Sequence, residues 1–232
     1  MVSAHGVDAE LPARYALPRS DIRFSYWLKS GSTTDDGGEG VLGDLDASTS
    51  QGWLACDVSC AIRLADRYHI DDLHIVKVAQ GATSLASDWI KGGTLMTRLH
   101  DYVSAIIPNN EDWKIVGIVR QQGEQDSNIL SDAQSFEGNL KDHYQTLRTL
   151  FGNGYKSMPI IEGEIKKSPN GAATTDTINR TRYAQTSVTN DDPYARLVSS
   201  SDLPQKVDNV HFTTAGLVTL GERMADELAK FI

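Results

Sequence analysis

Short runs of apolar, β-branched residues alternate along the chain with longer segments in which apolar residues recur at helical spacing. The short runs predict buried strands, and they lie at 72–79, 113–121, 158–165 and 195–203. The longer segments predict helices, and they lie at 53–68, 94–107, 135–151, 177–189 and 214–232. Strands that alternate with helices are typical of a parallel sheet covered by helices on both faces. We therefore predict a single α/β domain over residues 1–232, since no internal repeat or linker interrupts the pattern.

The start of the chain departs from this pattern. Doubly wound domains usually begin with a strand that becomes the middle of the sheet, whereas residues 1–18 have the sequence of a loop. Residues 31–50 are rich in Gly, Asp, Ser and Thr, and we predict a long surface loop there. The pattern thus begins one strand late, and the first central strand is expected to be missing from the chain.

Composition and charge restrict the possible partners. The chain has an ordinary globular composition, with 40% hydrophobic and 23% charged residues. Its net charge of −9 disfavours nucleic acid and anionic membranes as partners, and no apolar run is long enough to span a bilayer. Cys56 and Cys60 are interpreted as small buried residues, because no further Cys or His stands near them at metal-ligand spacing. The sequence therefore predicts a neutral substrate and no metal.

Polar residues follow each predicted strand. In an open parallel sheet, ligands bind at the carboxyl ends of the strands, so residues in these positions are expected to converge on one edge. They are Gly81, Gly123, Glu124, Asp126, Asp208 and His211. Taken alone, a glycine after a strand is typical of a turn, and Asp-x-x-His is typical of a helix cap with a surface histidine. The order of these residues along the chain, each at a strand end, favours a functional site.

Three of the segments, in this order, resemble motifs of the SGNH-hydrolase superfamily. The similarity is to the branch of sialate O-acetylesterases and carbohydrate esterases that includes acetyl xylan esterases. QGATSLASDW (80–89) is similar to the segment that supplies an oxyanion-hole glycine, QGEQD (122–126) to the segment that closes the next strand, and DNVHF (208–212) to the segment that supplies the base. The resemblance implies a three-layer α/β/α sandwich with a parallel, flavodoxin-like sheet.

The same resemblance concerns the start of the chain. The nucleophile of the family is the serine of a Gly-Gln-Ser-Asn-Met motif at the end of the first central strand, and Gly-Gln-Ser-Asn does not occur in this chain. The stretch that follows the motif in the family resembles residues 1–12. The resemblance therefore implies that Met1 is the last residue of the motif and that the serine lies just upstream. It also implies an N-terminally truncated domain, with the lost strand expected between 72–79 and 113–121.

The predicted catalytic residues are a histidine and its acidic partner. His211 is the predicted base, because imidazole is the side chain that ordinarily titrates near neutral pH. Asp208, three residues earlier, can orient the imidazole and stabilise its charged form. The resemblance makes Glu124 a rival or supplementary partner, and we rank Asp208 ahead of it.

The remaining predicted site residues surround the substrate. The Gly81 N–H can approach a substrate oxygen closely, because glycine has no side chain to block it. Many superfamily members complete the oxyanion hole with an asparagine, and Gln125 stands at about that place here. Gln122 and Trp89 are predicted to line the pocket. Ser84 is the alternative nucleophile within the chain, but it lies in the turn assigned to the oxyanion hole.

The residues and the resemblance together predict a serine esterase. It would remove O-acetyl or similar small acyl groups from a carbohydrate, without a metal or organic cofactor. The expected partner is a small acylated carbohydrate or another small ester. The alternative is a catalytically silent, carbohydrate-binding relative that has the same fold and lacks the nucleophile.

Overall fold

The computed structural model describes residues 11–45, 55–107, 112–166 and 172–232. The predicted position of Met1 at the family motif lies outside these residues. The chain divides into two compact units. One consists of Met1–Gly81, Asp101–Trp113 and Leu203–Ile232, and the other of Ala82–His100 and Lys114–Asp202. The single domain inferred from the sequence stays a prediction.

The first unit contains a four-stranded sheet. Its strands are β1 (Arg19–Ser30), β2 (Thr33–Asp36), β3 (Gly43–Leu45) and β4 (Leu73–Gln80). β1 pairs antiparallel with β2 and β3, and parallel with β4 in a register that places Ile22 opposite Leu73 and Lys29 opposite Gln80. The helices α1 (Cys56–Tyr68) and α5 (Thr214–Leu228) pack against each other in this unit.

Three strands of this sheet are missing from the sequence-based prediction. In β1, Arg23 and Ser25 interrupt the apolar residues, so the buried Ile22 and Phe24 stand alone and only residues 26–28 form a short apolar run. The loop predicted over residues 31–50 is wrong at β2 and β3, which are short strands on a largely exposed edge. The antiparallel register with β1 forms these strands, and their own sequences are too polar to indicate it.

The second unit contains a parallel three-stranded sheet in the order β5-β6-β7. Its strands are β5 (Ile118–Gln121), β6 (Ile160–Gly163) and β7 (Ala195–Val198), and its helices are α3 (Leu130–Leu150) and α4 (Thr175–Asp191). The strand ends are in register, with Gln121 opposite Gly163 and Gly163 opposite Val198. The residues that follow β5, β6 and β7 therefore start at one edge of this sheet.

The core of the second unit explains where its helices lie. Phe136, Leu140, Tyr144 and Leu147 recur on one face of α3 and are at most 2% exposed, packed with Ile160 of β6 in one apolar cluster. The helix begins five residues before the predicted position 135. Its first residue, Leu130, is 52% exposed, and the buried stripe that reveals a helix in the sequence begins only at Ala133.

The remaining helix agrees with the sequence-based prediction, whereas the next strand begins later than predicted. α2 (Thr94–Ile106) agrees with the predicted helix, and the boundary between the units falls within it. The strand predicted from residue 113 begins only at Ile118, and the Trp113 ring stacks on His74 with the ring centroids 3.9 Å apart. None of the described helices is both long and apolar enough to cross a membrane.

The chain has the predicted α/β fold with parallel strand pairing. β4 and β5 belong to different sheets, so among the described residues no strand pairs with both. A missing strand between them stays a prediction.

Cys56 and Cys60 are free thiols on α1. Burial raises the pKa of Cys56 to about 11 and raises the pKa of Cys60 well above its ordinary value. Both thiols therefore stay protonated at neutral pH.

Candidate functional site

Asp208 and His211 are in direct contact in the turn that precedes α5. The Asp208 Oδ2 atom lies 2.7 Å from His211 Nδ1, and Oδ1 accepts hydrogen bonds from the backbone N–H groups of Val210 (2.9 Å) and His211 (2.8 Å). Asn209, between them, has a left-handed φ of 57°, which closes the turn. The Asp-x-x-His spacing thus folds into one compact unit in which the carboxylate holds both the backbone and the ring of the histidine.

The charge of Asp208 is stabilised by this geometry. Partial burial by itself would raise the pKa of the carboxyl. The hydrogen bonds from the His211 ring and from the N–H groups of His211 and Val210 outweigh that effect and lower it to about 2. Asp208 is therefore ionised at neutral pH. An ionised carboxylate at Nδ1 keeps the proton on that nitrogen and leaves the lone pair of the neutral ring on Nε2.

The residues around His211 fix its position in the first unit. The His211 carbonyl oxygen accepts from the N–H of Lys206 at 2.7 Å, and Gln205 forms a β-bridge with Phe212, which is 3% exposed. Thr213 then caps α5 by accepting from the Gly216 N–H at 3.2 Å. The half-exposed imidazole is thus carried by a backbone that is held on both sides.

The N–H of Gly81, the predicted oxyanion donor, already has an acceptor. It donates to the carbonyl oxygen of Lys29 at 3.0 Å, which extends the pairing of β1 and β4 by one residue. Binding of a substrate oxygen by this N–H would require that hydrogen bond to open. The oxyanion role of Gly81 stays a prediction. The next residue, Ala82, is exposed and has a left-handed φ of 56°, which is unusual for a residue other than glycine.

The QGEQD segment folds into a tight turn after β5, in the second unit. Gly123 has a φ of 134°, and its carbonyl oxygen accepts from the Ser127 N–H at 3.0 Å. Glu124 is 8% exposed, and its Oε1 atom accepts from Gln121 Nε2 at 3.5 Å. Gln125 is half-buried, and its Oε1 atom accepts from Asn128 Nδ2 at 3.1 Å. The partner role of Glu124 and the oxyanion role of Gln125 stay predictions.

Gln122 is only 6% exposed, which is less than expected for a residue that lines an open pocket. Its side-chain nitrogen donates to the Thr83 carbonyl oxygen at 3.0 Å and to Asp126 Oδ2 at 2.6 Å. These two hydrogen bonds use both N–H groups of the amide. The structure gives Gln122 a part in holding the turn after β4, and its place in a pocket wall stays a prediction.

Trp89 is held at the end of the same turn. Its indole N–H donates to Thr83 Oγ1 at 3.1 Å, and its ring meets the His143 ring edge-on with centroids 6.4 Å apart. Burial lowers the pKa of His143 well below its ordinary value, so this histidine is neutral and its Nδ1–H can donate to the Trp89 carbonyl oxygen at 3.0 Å. Ser84, the alternative nucleophile, donates its N–H to Asp88 at 2.9 Å and belongs to the internal bonding of the turn.

The sequence places Asp126 among the polar residues at the strand ends but does not reveal what its side chain binds. It is 0% exposed, and it accepts from the Leu85 N–H at 2.9 Å as well as from Gln122. Burial raises the pKa of its carboxyl to about 6, although the hydrogen bonds from Gln122 and from the backbone of Leu85 and Ala86 oppose the shift. The Gln-x-x-x-Asp spacing of residues 122 and 126 is visible in the sequence. The turn that both side chains bind is not, because Leu85 lies 41 residues before Asp126 in the chain.

The predicted site residues are therefore distributed over both units. Gly81, Asp208 and His211 belong to the first, and Trp89, Gln122, Glu124 and Gln125 to the second. Within the second unit there is also an open depression of about 470 Å³ between the C-terminal parts of α3 and α4. Its wall includes Tyr144, Arg148 and Pro193 and none of the predicted site residues.

Comparison with known proteins places these motifs in context. The model of the family described as "carbohydrate esterase, sialic acid-specific acetylesterase" matches residues 41–230. A protein of Arabidopsis thaliana of known structure is similar with a TM-score of 0.78 and 22% identity, over 97% of this chain and 87% of that chain. No curated protein sequence gives a match.

Two bacterial structures are also similar. A carbohydrate acetylesterase of Xanthomonas citri has a TM-score of 0.66 and 14% identity, over 92% of this chain and 49% of that chain. A carbohydrate acetylesterase of Sinorhizobium meliloti has a TM-score of 0.56 and 12% identity, over 90% of this chain and 100% of that chain. At such identities the structural similarity shows a common fold.

Proposed function

Because the chain belongs to the sialic acid-specific acetylesterase family of carbohydrate esterases, we propose that it forms a serine esterase acting on acylated carbohydrates. The family predicted from the three sequence motifs is confirmed by this membership. The proposed reaction removes O-acetyl or a similar small acyl group and releases the sugar hydroxyl. The expected substrate is a small acylated carbohydrate, with another small ester as the alternative.

The contact between Asp208 and His211 carries the proposal. The ionised carboxylate at Nδ1 leaves His211 Nε2 as the atom that accepts a proton, which is the requirement for activating a serine hydroxyl. The same carboxylate stabilises the imidazolium that forms when the proton is transferred. The 2.7 Å contact supports Asp208 ahead of Glu124 as the partner of the histidine.

The proposed reaction has two steps. In the first, the nucleophilic serine that the family resemblance implies attacks the acyl carbonyl carbon while His211 Nε2 takes its proton. The imidazolium then protonates the leaving sugar oxygen and an acyl-serine forms. In the second, a water molecule loses a proton to Nε2, attacks the acyl carbon and releases the carboxylic acid with regeneration of the serine. Gly81 and Gln125 are the proposed donors to the oxyanion, and Trp89 and Gln122 are proposed beside the sugar.

Hydrolysis of p-nitrophenyl acetate and of an acetylated sugar by the natural protein tests the proposal. We expect His211→Asn to lower kcat/KM at least a hundredfold, since general-base assistance is worth about that much or more. The matched control is His69→Asn, because His69 is an exposed histidine of the same unit whose φ of 55° asparagine tolerates.

The outcome separates the esterase from its alternative. Loss of hydrolysis in His211→Asn with wild-type activity in His69→Asn supports the esterase. Retention of more than about a tenth of the wild-type rate in His211→Asn removes this histidine from the mechanism. Binding of the acetylated sugar without any turnover by the wild-type protein supports the catalytically silent relative.

A further inference from the structure

A buried amide and a buried carboxylate together hold the turn that follows β4. This turn, residues 82–89, contacts Gln122 and Asp126 at two backbone points: the Thr83 carbonyl oxygen accepts from Gln122 Nε2 at 3.0 Å, and the Leu85 N–H donates to Asp126 Oδ1 at 2.9 Å. Gln122 and Asp126 are joined to each other at 2.6 Å. One acceptor and one donor of the turn are therefore fixed by the same pair of side chains.

The hydrogen bonds of this pair are specific to its chemistry. The Gln122 amide has two N–H groups, and one goes to Thr83 and the other to Asp126. The Asp126 carboxylate has one oxygen for Gln122 and the other for Leu85. An asparagine in place of Asp126 would present an N–H to at least one of these donors. A buried donor that faces another donor loses its hydrogen bond and pays the full desolvation penalty.

The conformation that the pair holds is one the turn would not adopt readily by itself. Ala82, its first residue, has a φ of 56°, a left-handed conformation that is unfavourable for a residue other than glycine. Within the turn, Ser84 N–H donates to Asp88 at 2.9 Å and the Trp89 indole N–H donates to Thr83 Oγ1 at 3.1 Å. Such strained backbone persists where surrounding contacts over-determine it.

We propose that Asp126 is a positioning residue for ester hydrolysis: with Gln122, it fixes the backbone of turn 82–89 in the form that the reaction needs. The proposal rests on the proposed function, because the turn directly follows Gly81 and ends at Trp89, two of the residues assigned to substrate. Asp126 touches neither substrate nor the reacting atoms in this proposal. Its effect is transmitted through the Leu85 N–H and through Gln122.

The first test needs no enzymatic activity. Hydrogen exchange of the Leu85 amide, followed by NMR, is expected to accelerate at least tenfold in Asp126→Asn. The matched control is Glu164→Gln, a buried carboxylate of the same unit whose partners, Arg182 and Ser199, lie outside the turn. This control should leave Leu85 exchange unchanged. Equal protection of Leu85 in the wild-type protein and in folded Asp126→Asn would overturn the proposal.

A titration of the wild-type protein keeps the proposal testable if Asp126→Asn does not fold. The chemical shift of the Leu85 amide should follow the ionisation of its acceptor, with a midpoint near pH 6, because burial raises the pKa of Asp126 to about 6. Titratable groups on the neighbouring elements include Asp88, Arg120, Glu124, Asp132, His143, Asp176, Arg180 and Arg182. A Leu85 shift that stays constant from pH 8 down to the acid unfolding of the protein would show that this amide is not bound to a titrating carboxylate, and would overturn the proposal.

The kinetic test separates a positioning role from a merely structural one. In the natural protein, Asp126→Asn is expected to lower kcat about tenfold or more with KM within about twofold, and Glu164→Gln to leave both near wild type. Faster Leu85 exchange without a change in kcat would make Asp126 structural and overturn the proposal. If the wild-type protein hydrolyses no ester, the proposed function fails, and the exchange result still decides whether Asp126 holds the turn.

Discussion

Asp208 and Asp126 lie in two turns that differ mainly in burial. Asp208 precedes α5, its side chain is 44% exposed, and its carboxylate accepts from the His211 ring and from two backbone N–H groups. Asp126 follows β5, is 0% exposed, and accepts from Gln122 and from the Leu85 N–H. The donors are similar in kind, yet the pKa of Asp208 is about 2 and that of Asp126 about 6.

The difference between the two pKa values shows under which conditions hydrogen bonds keep a carboxylate charged. Loss of hydration is the largest influence on Asp126, and its donors offset that loss only in part. Partial burial also acts against ionisation of Asp208, but there the donors outweigh it. The exposed turn therefore keeps a charge that can stabilise an imidazolium, whereas the buried turn uses its carboxylate to hold backbone.

The largest expected effect comes from removing the charge of Asp208 in the exposed turn. In the natural protein, Asp208→Asn should lower kcat/KM for p-nitrophenyl acetate roughly a thousandfold, because the histidine loses both its tautomer control and the charge that stabilises its protonated form. The free energy of unfolding should change by only about 1 kcal/mol or less, since the side chain is half-exposed.

Two further variants sharpen this result. Asp44→Asn removes an exposed aspartate of the same unit that pairs with Arg23 at 2.6 Å, and it should leave kcat/KM near wild type. If Asp208→Asn keeps more than about a tenth of the activity while Glu124→Gln loses it, Glu124 is the main partner of His211 and the ranking of the two carboxylates reverses.

The next effect is on stability and concerns the buried turn. Gly123 has a φ of 134°, and a Cβ atom there would lie 2.9 Å from Thr181 Cγ2 and 3.1 Å from Phe136 Cζ. We expect Gly123→Ala to lower the free energy of unfolding by about 2–4 kcal/mol, from backbone strain and overpacking together. Urea unfolding followed by circular dichroism measures this loss. A change below about 1 kcal/mol would mean that the turn adapts without difficulty, and the burial of Asp126 would then be less constrained than its surroundings indicate.

The two aspartates should also give opposite dependences of stability on pH. The folded-state pKa of Asp126 is raised, so its contribution to stability is fully present below its unfolded pKa of about 4 and is lost as the pH rises through about 6. The folded-state pKa of Asp208 is lowered to about 2, so its contribution is present above about pH 4 and is lost as the pH falls through 2.

Urea unfolding of the wild-type protein and of Asp126→Asn between pH 4 and pH 7 checks the first of these signs. The asparagine cannot titrate, so the wild-type free energy of unfolding should fall relative to the variant by about 2–3 kcal/mol over this range. A wild-type protein that gains stability relative to Asp126→Asn as the pH rises would reverse the sign assigned to Asp126.

The same contrast explains how much could be predicted from the sequence. The contact of Asp208 with His211 spans three residues, so the Asp-x-x-His spacing alone makes it sterically available. The contact of Asp126 with Leu85 spans 41 residues and exists only because separate segments fold together, so spacing could not reveal it. The strands β4 to β7 and the helices were predictable, because apolar periodicity records burial along one element.

The missed strands have a related cause. β2 and β3 form through antiparallel pairing with β1, and such pairing leaves little trace in the polar sequence of an exposed edge. Glycines show the same limit, since the sequence could not tell Gly123, which has a positive φ, from Gly81, which does not. Backbone conformation at a glycine is decided by the fold around it.

Gly81 gives the smallest expected effect and is the half-buried counterpart of Gly123. A Cβ atom at Gly81 would have the Lys29 carbonyl oxygen as its nearest neighbour, at 4.0 Å, and the backbone there needs no positive φ. Gly81→Ala also keeps the N–H that donates to Lys29. We therefore expect the free energy of unfolding to change by about 0.5 kcal/mol or less, as for an ordinary surface substitution. Turnover in the natural protein should stay within about threefold, and urea unfolding with steady-state kinetics measures both. A loss of kcat beyond about tenfold in a fully folded Gly81→Ala would show that the added methyl group meets the substrate. That result would support the oxyanion role proposed for this glycine and would require its N–H to leave Lys29 during the reaction.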